Sequence, residues 1–187
     1  MTGLLRGKQF EGLFASFERT ARRLEVRDRY DVESERLYLT RWRDGMQEDR
    51  QHVESRRSWL DQVRQNVAHG RTYQRVRVVA EPLTEYVRYA LRGTRQTVEA
   101  GEDIRYLLRS QADKLDLPDH DFWLLDERQL VLMPFTANDR PLGGLVVTEP
   151  EVVAQHAAWL DLALERSTPY ADFLAADPSR EFPARST

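Results

Sequence analysis

Apolar residues Phe10, Leu13, Phe14, Phe17, Ala21 and Leu24 recur at three- and four-residue steps, the spacing that lines one face of a helix. The pattern predicts an amphipathic helix over residues 8 to 24. Charges in EVRDRYDVES interrupt it, and ESERLYLTRWRDG resumes as a shorter helix in which Leu37, Leu39 and Trp42 are partly buried and Gly45 marks the C-terminal stop. The next segment begins polar, but Trp59, Leu60, Val63 and Val67 form a second stripe that ends at Gly70, again a helix.

At residue 73 the period changes from helical to two: Tyr73, Arg75, Arg77 and Val79 alternate with Gln74, Val76 and Val78, which predicts a strand. Glu81 and Pro82 then open a helix carrying Leu83, Tyr86, Val87, Ala90 and Leu91, with Gly93 weakening its end. EDIRYLLR, DFWLLD, QLVLMPF and LGGLVV supply four further short strands, the middle two joined by a turn through Asp126, Glu127 and Arg128. Thr148 to Glu151 read as the capped start of a helix whose buried side carries Val152, Val153, His156, Trp159, Leu160 and Ala163. A short helix near TPYADFLAA follows. The order predicts an α+β fold: N-terminal helices packed on a mostly antiparallel sheet, with a C-terminal helix, in a single domain over residues 1–176 and a flexible tail over 177–187.

Composition changes this picture little. A length of 187 residues with 41% hydrophobic content suits one core. Basic and acidic residues nearly cancel, 28 against 31, so no strong attraction to phosphate backbones follows and direct nucleic-acid binding is not expected. The absence of cysteine excludes disulfides, thiolate metal sites and a cysteine nucleophile. No apolar run approaches the ~20 residues of a membrane span, and no secretory signal pattern opens the chain. A cytoplasmic location and no membrane partner are the expectations.

Candidate chemistry centres on RTYQRVRVVAEPLTEYVRYAL. Arg75 and Arg77 share one side of the strand, and a loop would bring Glu81 back toward them; two guanidiniums could hold a carboxylate or phosphate. The alternative is a solvated strand face, or internal ion pairs with residues such as Glu25. RLEVRDRY gathers Glu25, Arg27 and Tyr30 into a charged junction able to complete a pocket or to serve as a salt-bridged connector. In PDHDFW, Asp121 and His120 point to opposite strand faces, and Trp123 is half-buried, where it could stack on a flat ligand. The four histidines are scattered and no P-loop, dinucleotide or nucleophile-elbow pattern occurs, so no metal or cofactor is expected.

The phrases FEGLFASFERTARRLEVRDRYDV, QRVRVVAEPLTEYVRYAL, AGEDIRYLLR and LPDHDFWLLDERQLVLMPF, in this order, resemble an uncharacterised actinobacterial domain-of-unknown-function family over residues 10 to about 173. Members of that family are commonly encoded beside helix-turn-helix regulators and their small acidic partner proteins. The stretch from DFWLLDERQLVLMPF to VVTEPEVVAQHAAWLDLAL is also similar to the end of the effector domain fused to such regulators. The resemblance implies a helix-turn-helix regulator or its small acidic partner as the protein partner.

Two functions remain open at this level. The first is a non-catalytic regulatory or interaction module that binds a protein partner or small anionic ligand. The second is a small enzyme or toxin-like effector acting on RNA or a nucleotide, with Arg75 and Arg77 on phosphate and Glu81 or Asp121 as base.

Overall fold

The segment ARRLEV is hidden on both sides, and that decides the architecture. Ala21 and Glu25 are buried toward one layer of side chains, Leu24 and Val26 toward another, so this stretch is the middle of a sheet. The expected helix over residues 8 to 24 is therefore two elements, helix α1 (Lys8–Ser16) and strand β1 (Thr20–Glu25). Extended backbone across Phe17 changes the period from helix to strand.

The computed structural model describes residues 3–46 and 50–180. After β1 come α2 (Glu33–Arg43), α3 (Arg50–Ala68), β2 (Thr72–Val79), α4 (Glu85–Glu99), β3 (Glu102–Leu108) and α5 (Arg109–Ala112). The hairpin β4 (Asp121–Leu125) and β5 (Gln129–Met133) leads to β6 (Leu145–Val147), α6 (Pro150–Arg166), β7 (Thr168–Pro169) and α7 (Tyr170–Ala175). The seven strands lie in the order β6-β5-β4-β1-β2-β3-β7. Pairing is parallel between β1 and β2 and between β2 and β3, and antiparallel elsewhere. The result is an α+β fold on a mostly antiparallel mixed sheet, whose two parallel pairs are allowed by the long helical crossovers β1-α2-α3-β2 and β2-α4-β3.

One sheet face carries Leu24, Val76, Leu107, Phe122 and Leu130 and is covered by α6 through Val153, Leu160 and Ala163. The opposite face is covered in two parts. Phe14 and Phe17, with Leu60 and Val63 of α3, pack on Tyr73, Trp123 and Val131. Val87 and Leu91 of α4, with Phe173 of α7, pack on Val79, Ile104 and Tyr106. Between those two apolar clusters the same face turns ionic.

Several local expectations are corrected by tertiary context. Pro82 stands outside α4, whose N-cap is Thr84, its side chain accepting the Val87 N–H at 3.3 Å. Gly93 does not weaken the helix end but sits inside α4, which continues to Glu99. The start of α6 has Glu149 at the N-cap and Pro150 in the first turn, without the side-chain cap expected near Thr148. Leu37 and Val152 are exposed, while Tyr38 is buried. Beyond α7, a 3-10 turn at Pro178–Arg180 is held by Arg180, which donates to the Phe173 carbonyl at 2.9 Å. Residues 181–187 of the expected tail lie outside the described residues.

The three-residue turn joining β4 to β5 has positive φ at both Asp126 (54°) and Glu127 (56°) and is closed by the Arg128 N–H, which donates to the Leu125 carbonyl at 3.0 Å. The Asp126 carboxylate also accepts the N–H groups of Glu18, Arg19 and Thr20 at 2.8, 2.7 and 2.9 Å. It thereby anchors the start of the central strand. Burial opposes its ionisation, but those three donors outweigh burial and hold its pKa below the ordinary carboxylate value. This stabilisation is therefore present at neutral pH and is lost as pH falls through the lowered pKa. Asp126→Ala is expected to cost about 1–3 kcal/mol at pH 7, with a smaller difference from wild type in strong acid; urea unfolding across pH measures both.

Candidate functional site

The parallel register sets Arg23 beside Arg75 and Glu25 beside Arg77, all on the face covered by α2, α3 and α4. Glu25 accepts from Arg75 at 2.9 Å and from Arg77 at 2.5 Å, and Arg23 lies 3.1 Å from the same carboxylate. Arg75 also donates to Glu102 of β3 at 2.7 Å. Glu25, Arg75 and Glu102 are all buried. Burial would push the Glu25 carboxyl up, but Arg23, Arg77 and Arg75 outweigh it and hold it well below the usual carboxylate range. Burial likewise works against the charge on Arg75 and Arg77; Glu102 and Glu25 reverse the effect for Arg75, and Glu25 chiefly for Arg77. The sequence's choice between a solvated face and internal ion pairs is thus resolved: these are internal pairs.

One strand away, Asp121 accepts the Val26 N–H at 2.9 Å and the Tyr30 hydroxyl at 2.5 Å. Burial raises its carboxyl pKa, more than the nearby Arg23 lowers it. Trp123 is only 2% exposed and meets the Phe14 and Trp59 rings edge-on at 4.7 and 6.2 Å. The guanidiniums of Arg23 and Arg75 lie over its ring at 5.1 and 5.4 Å. The expectation of a half-buried Trp123 stacking on a ligand is therefore corrected: its faces are already covered.

Over this ionic floor, α2, α3 and α4 leave a cleft of about 280 Å³. Arg75 and Arg77 form its base, Glu35 projects from α2, Arg56 from α3, and Tyr86 from α4, with Tyr38, Trp59 and Tyr89 adding rings to the lining. The Tyr86 hydroxyl donates to Glu35 at 2.8 Å. Burial raises the Glu35 carboxyl, outweighing the Tyr86 hydrogen bond and the more distant Arg77. Among the described residues no cation stands within ion-pair distance of Glu35. Gly93 shapes the same cavity, since a Cβ there would stand 2.0 Å from the Arg56 guanidinium. A glycine inside a helix costs about 1 kcal/mol relative to alanine, and here its missing side chain makes room for a cleft residue.

Of the sequence-predicted site residues, Glu25, Arg75, Arg77, Asp121, Tyr30 and Trp123 gather on one sheet face, although only Arg75 and Arg77 line the cleft. Arg27 is elsewhere, paired with Asp139 at 2.5 Å and lying 4.9 Å over the Phe135 ring. Glu81 does not return to the arginines; its exposed carboxylate takes a hydrogen bond from Arg180 at 2.6 Å. His120 meets His156 across 3.0 Å, but no group of three metal-ligating side chains occurs among the described residues. Sequence reasoning missed Glu35, Arg56, Tyr86 and Gly93. Gly93 alone carried a signal, as a glycine interrupting an otherwise strong helical pattern.

Removing the Glu25 charge leaves buried Arg75 and half-buried Arg23 and Arg77 beside a neutral amide. Glu25→Gln is expected to destabilise the fold by about 3–5 kcal/mol, the scale for breaking a buried ion pair from one side. The midpoint of urea unfolding at pH 7 measures it. Since the folded carboxyl ionises below its ordinary value, its stabilisation is present at neutral pH and fades only as pH falls through the acid range.

No match emerged among curated proteins. The profile of a domain of unknown function, DUF6879, matches residues 8–175, from α1 through α7, and the chain belongs to that family.

Proposed function

We propose that this domain is a non-catalytic regulatory module that binds a small anionic ligand in the cleft over β2. The supporting observation is a cavity lined by Arg56, Arg75 and Arg77, with the Arg77 side chain 21% exposed above its partner Glu25. A guanidinium held from one edge still presents other N–H donors in a fixed fork suited to a carboxylate or phosphate. Arg75, gripped by two carboxylates, sets the floor.

Geometry gives less support to action on RNA or a nucleotide. Of the two bases that reading requires, Glu81 is engaged by Arg180, and Asp121 is buried against Tyr30 and the Val26 N–H. The likeness to actinobacterial members encoded beside helix-turn-helix regulators supports a readout through such a regulator or its small acidic partner. In this proposal, ligand occupancy braces α2, α3 and α4 and changes how that partner docks. A cytoplasmic setting belongs to the same proposal; among the described residues no helix is long and apolar enough to cross a membrane.

Thermal melting with a panel of small carboxylates and phosphate monoesters, followed by calorimetric titration, tests the reading. A ligand at a hundred times its Kd is expected to stabilise the wild type by about 2.7 kcal/mol. Arg77→Lys, which keeps the charge but loses the fork, is expected to weaken binding about tenfold, the factor that corresponds to 1.4 kcal/mol. Gly93→Ala is expected to keep or raise the unliganded melting temperature while displacing Arg56 and reducing the ligand shift. An unresponsive wild type overturns the reading, as do variants that bind like it.

A further inference from the structure

The two sides of the cleft differ in charge. At its base, Arg75 and Arg77 already hold Glu25 and Glu102. On the α2 side, Glu35 accepts the Tyr86 hydroxyl and makes no ion pair with any described residue, so a carboxylate with spare acceptor positions borders the cavity. A ligand bearing only negative charge would satisfy Arg77 but set like charge against Glu35. One bearing only positive charge would meet Glu35 but oppose the guanidiniums. Tyr38, Trp59 and Tyr89 add ring surface, and a cavity of about 280 Å³ has room for one small molecule.

We infer that the ligand is an amino acid with a ring-bearing side chain, its carboxylate on Arg77, its ammonium on Glu35 and its ring against the aromatic lining. This rests on the anion-binding reading of the same cleft and adds the second charge and the ring. The ammonium and the Tyr86 hydroxyl share the Glu35 carboxylate, so the ligand supplies a direct ion pair where Arg77 and Arg56 act on Glu35 only from beyond ion-pair distance. Ionised Glu35 is required for that pairing. Burial, with Glu25 of β1 beside it, raises its pKa more than Tyr86 of α4, Arg77 of β2 and Arg56 of α3 lower it, so amino-acid affinity falls as pH drops toward the raised value, whereas affinity for a ligand without the amine does not fall by this route.

Three probes separate the contributions in calorimetric titrations on the full chain at pH 7: phenylalanine, 3-phenylpropionate, which lacks the amine, and phenethylamine, which lacks the carboxylate. Phenylalanine is expected to bind at least about tenfold more tightly than either, in keeping with a charge-assisted contact made by each end. Glu35→Gln, which keeps an acceptor for Tyr86, is expected to reduce phenylalanine binding to the level of 3-phenylpropionate and to leave the latter unweakened. Equal wild-type affinities for phenylalanine and 3-phenylpropionate overturn the zwitterion while leaving the anion reading standing. Binding of phenethylamine alone, or of none of the three, overturns the amino-acid ligand, and the anion reading then stands or falls on the panel of small carboxylates and phosphate monoesters. The wild-type comparison decides even if Glu35→Gln fails to fold.

Discussion

A carboxylate buried among three guanidiniums governs this fold. Glu25 is 4% exposed, and Arg23, Arg75 and Arg77 converge on it from its own strand and the next. Each of these charges would be costly to bury alone, by several kcal/mol. Together they are tolerable only at one strand register. Shifting β1 by one residue would turn Glu25 toward the apolar layer under α6 and leave the arginines of β2 facing Leu24. The network therefore specifies alignment as much as it supplies stability, and Glu102 extends the constraint to β3.

The same constraint shapes the cleft. Arg75 is fixed by two carboxylates and stacked over Trp123, so the floor is rigid before any ligand arrives. Arg77 is held from one edge and remains partly exposed. The walls come from helices that touch the sheet mainly through apolar clusters on either side, α3 with α1 and α4 with α7. A polar cavity thus sits between two dry cores, where contacts to a charged ligand are less screened than at an open surface.

Much of this was legible in sequence, and the failures have physical causes. Helices α2, α3, α4, α6 and α7 and strands β2 through β6 followed from apolar spacing and turn residues, whereas the single turn of α5 carried no such pattern. β1 did not, because a strand buried on both faces loses the two-residue alternation, and Phe10, Leu13, Phe14 and Phe17 carried a helical rhythm into it. Trp123 was placed too near the surface for a similar reason: all five residues of β4 are buried. The arginine pair and Glu25 were visible as candidates, since charges inside a strand-like run are conspicuous. Glu35 and Tyr86 were not. Glu35 looks like an ordinary polar helix position and Tyr86 like one more residue of an apolar stripe, and they meet across 51 residues only because α2 and α4 pack side by side.

The Asp126 anchor bears on the order in which this chain assembles. It joins the hairpin turn to the start of β1 across 106 residues, and β4 seals the β1 edge that β2 leaves open. During synthesis the strand at the middle of the sheet emerges early yet gains its second neighbour late. Until residues 121–125 arrive, one edge of β1 offers its unpaired N–H and C=O groups to any other strand. Closing so long a loop adds to the non-local pairing that slows folding. The nascent chain thus stays open to mispairing until the hairpin is made.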